Sequence, residues 1–198
     1  MQYVCSIYFA SLRQTQFFMM KKGALLLFSL IVSIAASFAQ ETKAQTQQAA
    51  MQQLRWLIGR WSGTSEVTVD SLRQITYVQE IITPMLNGTI FTVSARGTAL
   101  DSATNKMTLV YSSFGVISYN TKDKQYRWRT WRNPGDSYDE MNFKVGDNSF
   151  EFIANENGGY MRYKANLNEN GQWIETGEFS KDKQTWGLFI NMALNKKR

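Results

Sequence analysis

The segment Tyr126-Arg127-Trp128-Arg129-Thr130-Trp131-Arg132 holds the densest group of chemistry-bearing side chains in the 198-residue chain. In a strand, Tyr126 and Trp128 share one face while Arg127, Arg129 and Trp131 share the other. With the arginine face turned inward, Arg127 and Arg129 can grip a carboxylate or phosphate in bidentate fashion. With the aromatic pair inward, the arginines are simply solvated, the commoner arrangement because arginine is rarely buried without a partner. A third use, stacking of an exposed Arg/Trp strand on single-stranded nucleic acid, conflicts with the small net charge left once the N-terminal segment is removed.

The acids offer less. Asp139-Glu140 and Glu175 with Glu178 are the paired carboxylates that acid/base chemistry would need, and such pairs can cleave glycosidic bonds without histidine. Their alternating signs and nearness to turns favour solvated positions. Glu80 and Arg96 lie on neighbouring predicted strands. As an interior pair they satisfy one another, and as an exposed pair they contribute little. Asn166-x-Asn168-x-Asn170-Gly171 has the spacing of a calcium loop, but its early ligands are neutral and Gly177 stands at the twelfth position. It reads as a hairpin turn, and no metal or cofactor is expected. Asn87-Gly88-Thr89 fits a glycosylation pattern, although Asn-Gly at a hairpin explains it better.

The chain has no histidine and a single cysteine, Cys5. That excludes Ser-His-Asp and Cys-His nucleophilic machinery, Cys/His zinc sites and haem on a proximal histidine.

Residues 1–39 read as an address. Lys21 and Lys22 precede an apolar run from Ala24 to Ile34, closed by Ser37 and Ala39: the three parts of a secretory signal peptide. The run is too short for a membrane-spanning helix. Residues 1–18 match no part of that unit, so the true start is expected at Met19 or Met20. Cleavage after Ala39 removes Arg13, Lys21, Lys22 and no acid, taking the formal charge from +6 to +3 and leaving no cysteine. A mild positive charge does not call for nucleic acid. The expected location is the periplasm or the outside of a bacterial cell, with no membrane span after cleavage.

Residues 40–50 are polar and Gln/Ala-rich, a flexible lead-in. Met51, Leu54, Leu57, Ile58 and Trp61 then mark one face of a short helix, with Gly59 as its stop. Beyond Gly59 the period becomes two. Val67 and Val69, then Ile75, Tyr77, Gln79 and Ile81, then Phe91, Val93 and Ala95, then Met161, Tyr163, Ala165 and Leu167 form alternating apolar faces. Nine turn signals punctuate the runs, at Asp70-Ser71, Asn87-Gly88, 101–105, 121–124, 133–136, 146–148, 157–159, Asn170-Gly171 and 181–183. Turns every 8–15 residues or so predict an all-β, up-and-down antiparallel sheet of about nine to eleven strands. Such a meander must close or curl into a barrel or half-open barrel. The barrel is expected over residues 51–198, with the N-terminal helix as its plug.

The order of features resembles the calycin superfamily of lipocalins and fatty-acid-binding proteins, and more closely the secreted lipocalin-like bacterial families of unknown function. Leu57-Ile58-Gly59-Arg60-Trp61-Ser62-Gly63 carries the opening motif, and Glu178-Phe179-Ser180-Lys181-Asp182-Lys183-Gln184-Thr185-Trp186 the late one. The resemblance covers residues 51–198. It implies a barrel able to hold a small apolar molecule, with Gly59 and Trp61 at the barrel floor. It also implies a basic residue of the last strand against Trp61, for which Lys196, Lys197 and Arg198 are candidates. The haem-binding nitrobindin-like branch uses an axial histidine that this chain lacks.

The expected function is an exported protein holding an apolar or amphipathic ligand. Tyr77, Phe91, Tyr111, Tyr119, Trp128 and Tyr163 would line the interior, and Arg127 or Arg129 would anchor a polar head. A carboxylate-based enzyme, and a filled barrel acting through its surface, are the alternatives.

Overall fold

The computed structural model describes residues 43–69, 72–133, 138–156 and 158–197. The signal-peptide reading of residues 1–39, Cys5 and the first three residues of the lead-in lie outside this range. Two compact units divide the chain, Met1–Ala44 and Gln45–Arg198, and every strand belongs to the second. No helix among the described residues is long and apolar enough to cross a membrane.

Helix α1 covers residues 43–52, and a 3-10 turn follows at Arg55–Leu57. Ten strands come next: β1 (Gly59–Val69), β2 (Leu72–Met85), β3 (Ile90–Asp101), β4 (Lys106–Asn120), β5 (Gln125–Asn133), β6 (Tyr138–Gly146), β7 (Ser149–Glu156), β8 (Gly159–Leu167), β9 (Gln172–Ser180) and β10 (Gly187–Lys197). Each pairs antiparallel with its chain neighbours, and β10 returns to β1 to close the barrel. All nine turn signals fall between consecutive strands. Pairing β10 with β1 removes the two outer edges that an open meander would expose.

Two local readings are corrected. The helix lies earlier than the apolar spacing predicts: residues of the supposed lead-in form α1, and Trp61 belongs to β1. The apolar triplet Ile75, Tyr77 and Ile81 is exposed, and the alternate residues Thr76, Val78, Glu80 and Ile82 point inward. Register sets this choice. Directly opposed residues of a ladder share a face, and Glu80 lies opposite both Trp61 and Ala95. Both are buried in the interior, so β2 must turn its even-numbered residues in.

One half of the interior is packed solid. Met51, Leu54, Trp56 and Leu57 from the N-terminal segment sit among Trp61, Phe91, Ile117, Phe143, Trp173 and Leu194. Polar clamps hold α1 in place: Gln47 Nε2 donates to the Tyr119 carbonyl, Gln48 Nε2 to the Asn87 carbonyl, and Tyr126 Oη to the Ala50 carbonyl. Trp61 Nε1 donates to the Leu57 carbonyl at 2.7 Å, joining the 3-10 turn to the first strand. Lys196 Nζ lies 5.1 Å from the centre of the Trp61 ring, the basic contact from the last strand that the opening motif implied.

Closure depends on Gly63. A Cβ there would lie 2.0 Å from the Ala193 carbonyl oxygen of β10. That obstacle is backbone and cannot swing aside. Gly63→Ala is therefore expected to lower stability by about 1–3 kcal/mol, read as a reduced urea midpoint, and an unchanged midpoint would contradict this packing.

Candidate functional site

The other half of the barrel is hollow. Its cavity has a volume of about 970 Å³. Small side chains make the space: Ser65 lies opposite Thr76, and Ala95 opposite Ser113, and all four line the cavity. Aromatic walls face them. Trp128, Phe152 and Tyr163 line the cavity, with Phe152 and Tyr163 stacked at 4.9 Å and Trp128 edge-on to Phe152 at 5.8 Å. The Tyr111 ring lies against Gly97, where a Cβ would come within 2.2 Å of it; glycine is what lets this ring lie along the wall.

The wall parts on one side. The β6–β7 ladder runs only from Phe143↔Phe152 to Gly146↔Ser149, whereas β6 stays paired with β5 up to Trp131↔Tyr138 and β7 with β8 up to Glu156↔Gly159. Met141 and Asn142 on one lip, and Ile153 and Ala154 on the other, line the cavity. The gap makes a lateral portal at the hollow end.

Two carboxylates face this space. Glu80 is buried, and it has no hydrogen-bond or ion-pair partner among the described residues. Glu175 is half-buried, with its open side turned to the cavity. Burial drives the Glu80 pKa well above the usual carboxylate range, and the charge of Glu175 adds to it. Burial also pushes Glu175 up to about 7, the nearby Trp173 indole pulling the other way. That indole N–H does not reach full hydrogen-bond geometry with any acceptor. Tyr111 is raised by burial first, then by the Glu80 and Glu175 charges. Charges removed from water without a counter-charge favour their neutral forms.

The structure distributes the sequence-predicted residues unevenly. Tyr111, Trp128 and Tyr163 line the cavity as expected. Phe91 is sealed in the packed half, and Tyr119 sits edge-on to Tyr126 at 4.9 Å beside the helix. Gly59 and Trp61 lie at the packed end, where Lys196 crosses both. Tyr77 is a correction: it is 53% exposed on the outer face of β2.

Arg127 and Arg129 are also corrected as lining residues. The aromatic face of β5 turns inward, so both arginines lie outside. Arg127 bonds Asp123 and stands 3.5 Å from Glu140, and Arg129 Nε donates to Glu140 at 2.6 Å. Those bonds hold the Glu140 carboxyl below its ordinary value, the Arg129 bond foremost. Arg127→Ala and Arg129→Ala are expected to leave the affinity of any cavity ligand within about twofold; a tenfold loss (about 1.4 kcal/mol) in either, measured by fluorescence titration, would contradict their outward placement.

The other candidate motifs are structural. Arg96 points outward opposite Gln79 and so does not meet Glu80. Asn168 Oδ1 accepts from the Asn170 and Gln172 amides, closing the β8–β9 hairpin. The late motif builds the β9–β10 turn: Asp182 Oδ1 accepts from Ser180 Oγ and from the Gln184 and Thr185 amides. Glu178 faces outward to Arg162 at 2.7 Å and Lys164 at 3.2 Å, and the Arg162 guanidinium lies 4.0 Å from the Trp186 ring. No cluster of metal-ligating side chains occurs among the described residues. Outside the barrel, Ile81, Phe114 and Trp131 line a depression of about 520 Å³ beside Arg96.

No family model matches the chain, and no curated protein matches it. Among solved structures, the crystal structure of Rv2717c from M. tuberculosis is similar to it, with a TM-score of 0.54 and 12% identity over 75% of this chain and 98% of that one. What they share is the barrel. At that identity the likeness concerns fold alone, and function must be argued from the cavity.

Proposed function

We propose that this chain is an exported small-molecule-binding protein of the lipocalin-like kind, holding an apolar or amphipathic ligand in the hollow half of its barrel. The observation that carries the reading is the cavity of about 970 Å³. It falls within the size range of small-molecule sites, and it combines apolar and aromatic walls with a few convergent polar groups. Packed interiors rarely leave such space, and the lining loses contact energy wherever no atom faces it. A ligand restores those contacts. The β6–β7 gap supplies a way in that does not require strands to unzip. The export half of the reading rests on the Lys21-Lys22, apolar-run and Ser37/Ala39 pattern.

The test is native mass spectrometry of the protein purified from an exporting host, with its organic extract analysed alongside. The expected result is a non-covalent adduct that Ala154→Trp, which fills the cavity beside the portal, abolishes while the barrel stays folded by circular dichroism. An adduct that survives this substitution would place the ligand elsewhere and overturn the reading.

A second reading draws on Glu80 and Glu175. Two cavity-lining carboxylates of raised affinity for protons are a candidate acid/base pair. Turnover of a small molecule that is abolished by Glu80→Gln and by Glu175→Gln would favour an enzyme.

A further inference from the structure

We propose that the cavity selects organic cations: a protonated amine seated against Glu80 and Glu175, with its apolar body along Trp128, Phe152 and Tyr163. This inference deepens the ligand-binding reading above and rests on it.

The placement of the two acids is the first ground. Glu80 stands one pleat from the buried Ile82, and Glu175 one pleat from the buried Trp173. Both therefore lie on the floor of the cavity, where the packed half ends. Their surroundings are deprived of compensating groups. Glu80 is only 9% exposed, lines the cavity, and has no donor or cation among the described residues. Its ladder neighbours are Trp61 and Ala95; those of Glu175 are Met192 and Ala165. Of these four, none is a cation.

Among the described residues, the cation that lines the cavity is elsewhere and engaged. Arg132 lies at the far end of β5 from Tyr126, 51% exposed by its side chain, and is bonded to Asp139. The floor is thus acidic, and the rim carries an internally neutralised pair. A carboxylate-headed ligand reaching the floor would set a negative charge beside two acids that burial already holds towards their neutral forms, and would oppose their ionisation further. A neutral ligand would bring no counter-charge to either carboxyl. An ammonium donates up to three hydrogen bonds and supplies the missing charge, in surroundings where charge-assisted bonds are strong.

The walls fit the same class. Aromatic faces attract cations, most strongly where water is excluded, and Trp128 and Tyr163 both border the space. Raised carboxyl pKa values follow from the same arrangement, burial being the first cause of both.

Three amphiphiles of equal chain length separate the possibilities: dodecylamine, dodecanol and dodecanoate, titrated at pH 7.5 into the delipidated full-length protein with tryptophan fluorescence as the signal. Dodecylamine is expected to bind at least about tenfold tighter than dodecanol, and dodecanoate weakest of the three. Glu80→Gln and Glu175→Gln are each expected to weaken dodecylamine about tenfold while leaving dodecanol unchanged or tighter. Retained dodecanol binding also reports that the variants are folded. Equal binding of all three, or a preference for dodecanoate, overturns the cation inference and leaves the ligand-binding reading standing. Failure of all three to bind overturns both.

Discussion

Glu175→Gln is expected to stabilise the ligand-free protein at pH 8 and to leave its stability unchanged at pH 4. Burial pushes the Glu175 carboxyl up to about 7 in the folded barrel, and in the unfolded chain it titrates near 4.3. Below the unfolded value both states hold the proton, so the group makes no distinction between parent and variant. As pH rises from there, the unfolded chain releases its proton first, and stability falls until the folded group ionises near pH 7. The accumulated loss is about 4 kcal/mol, from 1.36 kcal/mol for each unit between about 4.3 and about 7. Glutamine never ionises and escapes that loss. It also removes the charge that Glu80 opposes, so the Glu80 contribution runs in the same direction. Urea unfolding of both proteins at pH 4, 6 and 8 checks this. A variant less stable than the parent at pH 8 would show that the Glu175 charge has a partner in the folded state.

The second large effect concerns the packed half. Trp61 is buried against Trp173, ring centres 5.8 Å apart and edge-on, and its N–H holds the Leu57 carbonyl. Trp61→Ala is expected to cost about 3–5 kcal/mol, because the removed ring leaves a void that surrounding aromatics cannot fill. Trp61→Phe keeps most of the burial but orphans the Leu57 carbonyl, and is expected to cost about 1–3 kcal/mol. If the two variants lose equal stability, the hydrogen bond to the 3-10 turn matters more than the buried ring. If Trp61→Ala loses under about 1 kcal/mol, the ring is not packed as tightly as its burial implies.

Strand number and topology were legible because turns have local chemistry. Asn87 adopts a left-handed backbone at φ 57°, and Asn105 and Asn148 do the same at 53° and 44°. Asparagine tolerates that region better than most side chains, so these positions announce themselves. The face of a strand is a different matter when both faces carry apolar residues. In β2, Ile75, Tyr77 and Ile81 compete with Val78 and Ile82, and the deciding influence is the register against Trp61 and Ala95. That influence comes from distant parts of the chain. Where one face was clearly apolar, as in Phe91-x-Val93-x-Ala95 and Met161-x-Tyr163-x-Ala165, the pattern identified the interior.

The acidic floor was hidden for a related reason. Carboxylates are seldom buried, so the residue type itself argues for the surface. Glu175 and Glu178 read as a pair, yet their odd spacing puts them on opposite faces of β9. Glu178 is outside with Arg162, while Glu175 is inside with no opposite charge beside it among the described residues. The parity of Trp173-x-Glu175-x-Gly177 carried that signal. The arginines were conspicuous and the glutamates were not, and burial reversed their importance: Arg127 and Arg129 found Asp123 and Glu140 on the outer wall.

Ligand binding in the hollow half is tested most directly by crystals of the protein grown with and without dodecylamine. The expected result is an open interior in both, and, with the amine present, elongated density running from Glu80 and Glu175 past Trp128, Phe152 and Tyr163 towards the β6–β7 gap. An interior closed by these same aromatic side chains, with no added density in either crystal, would contradict it.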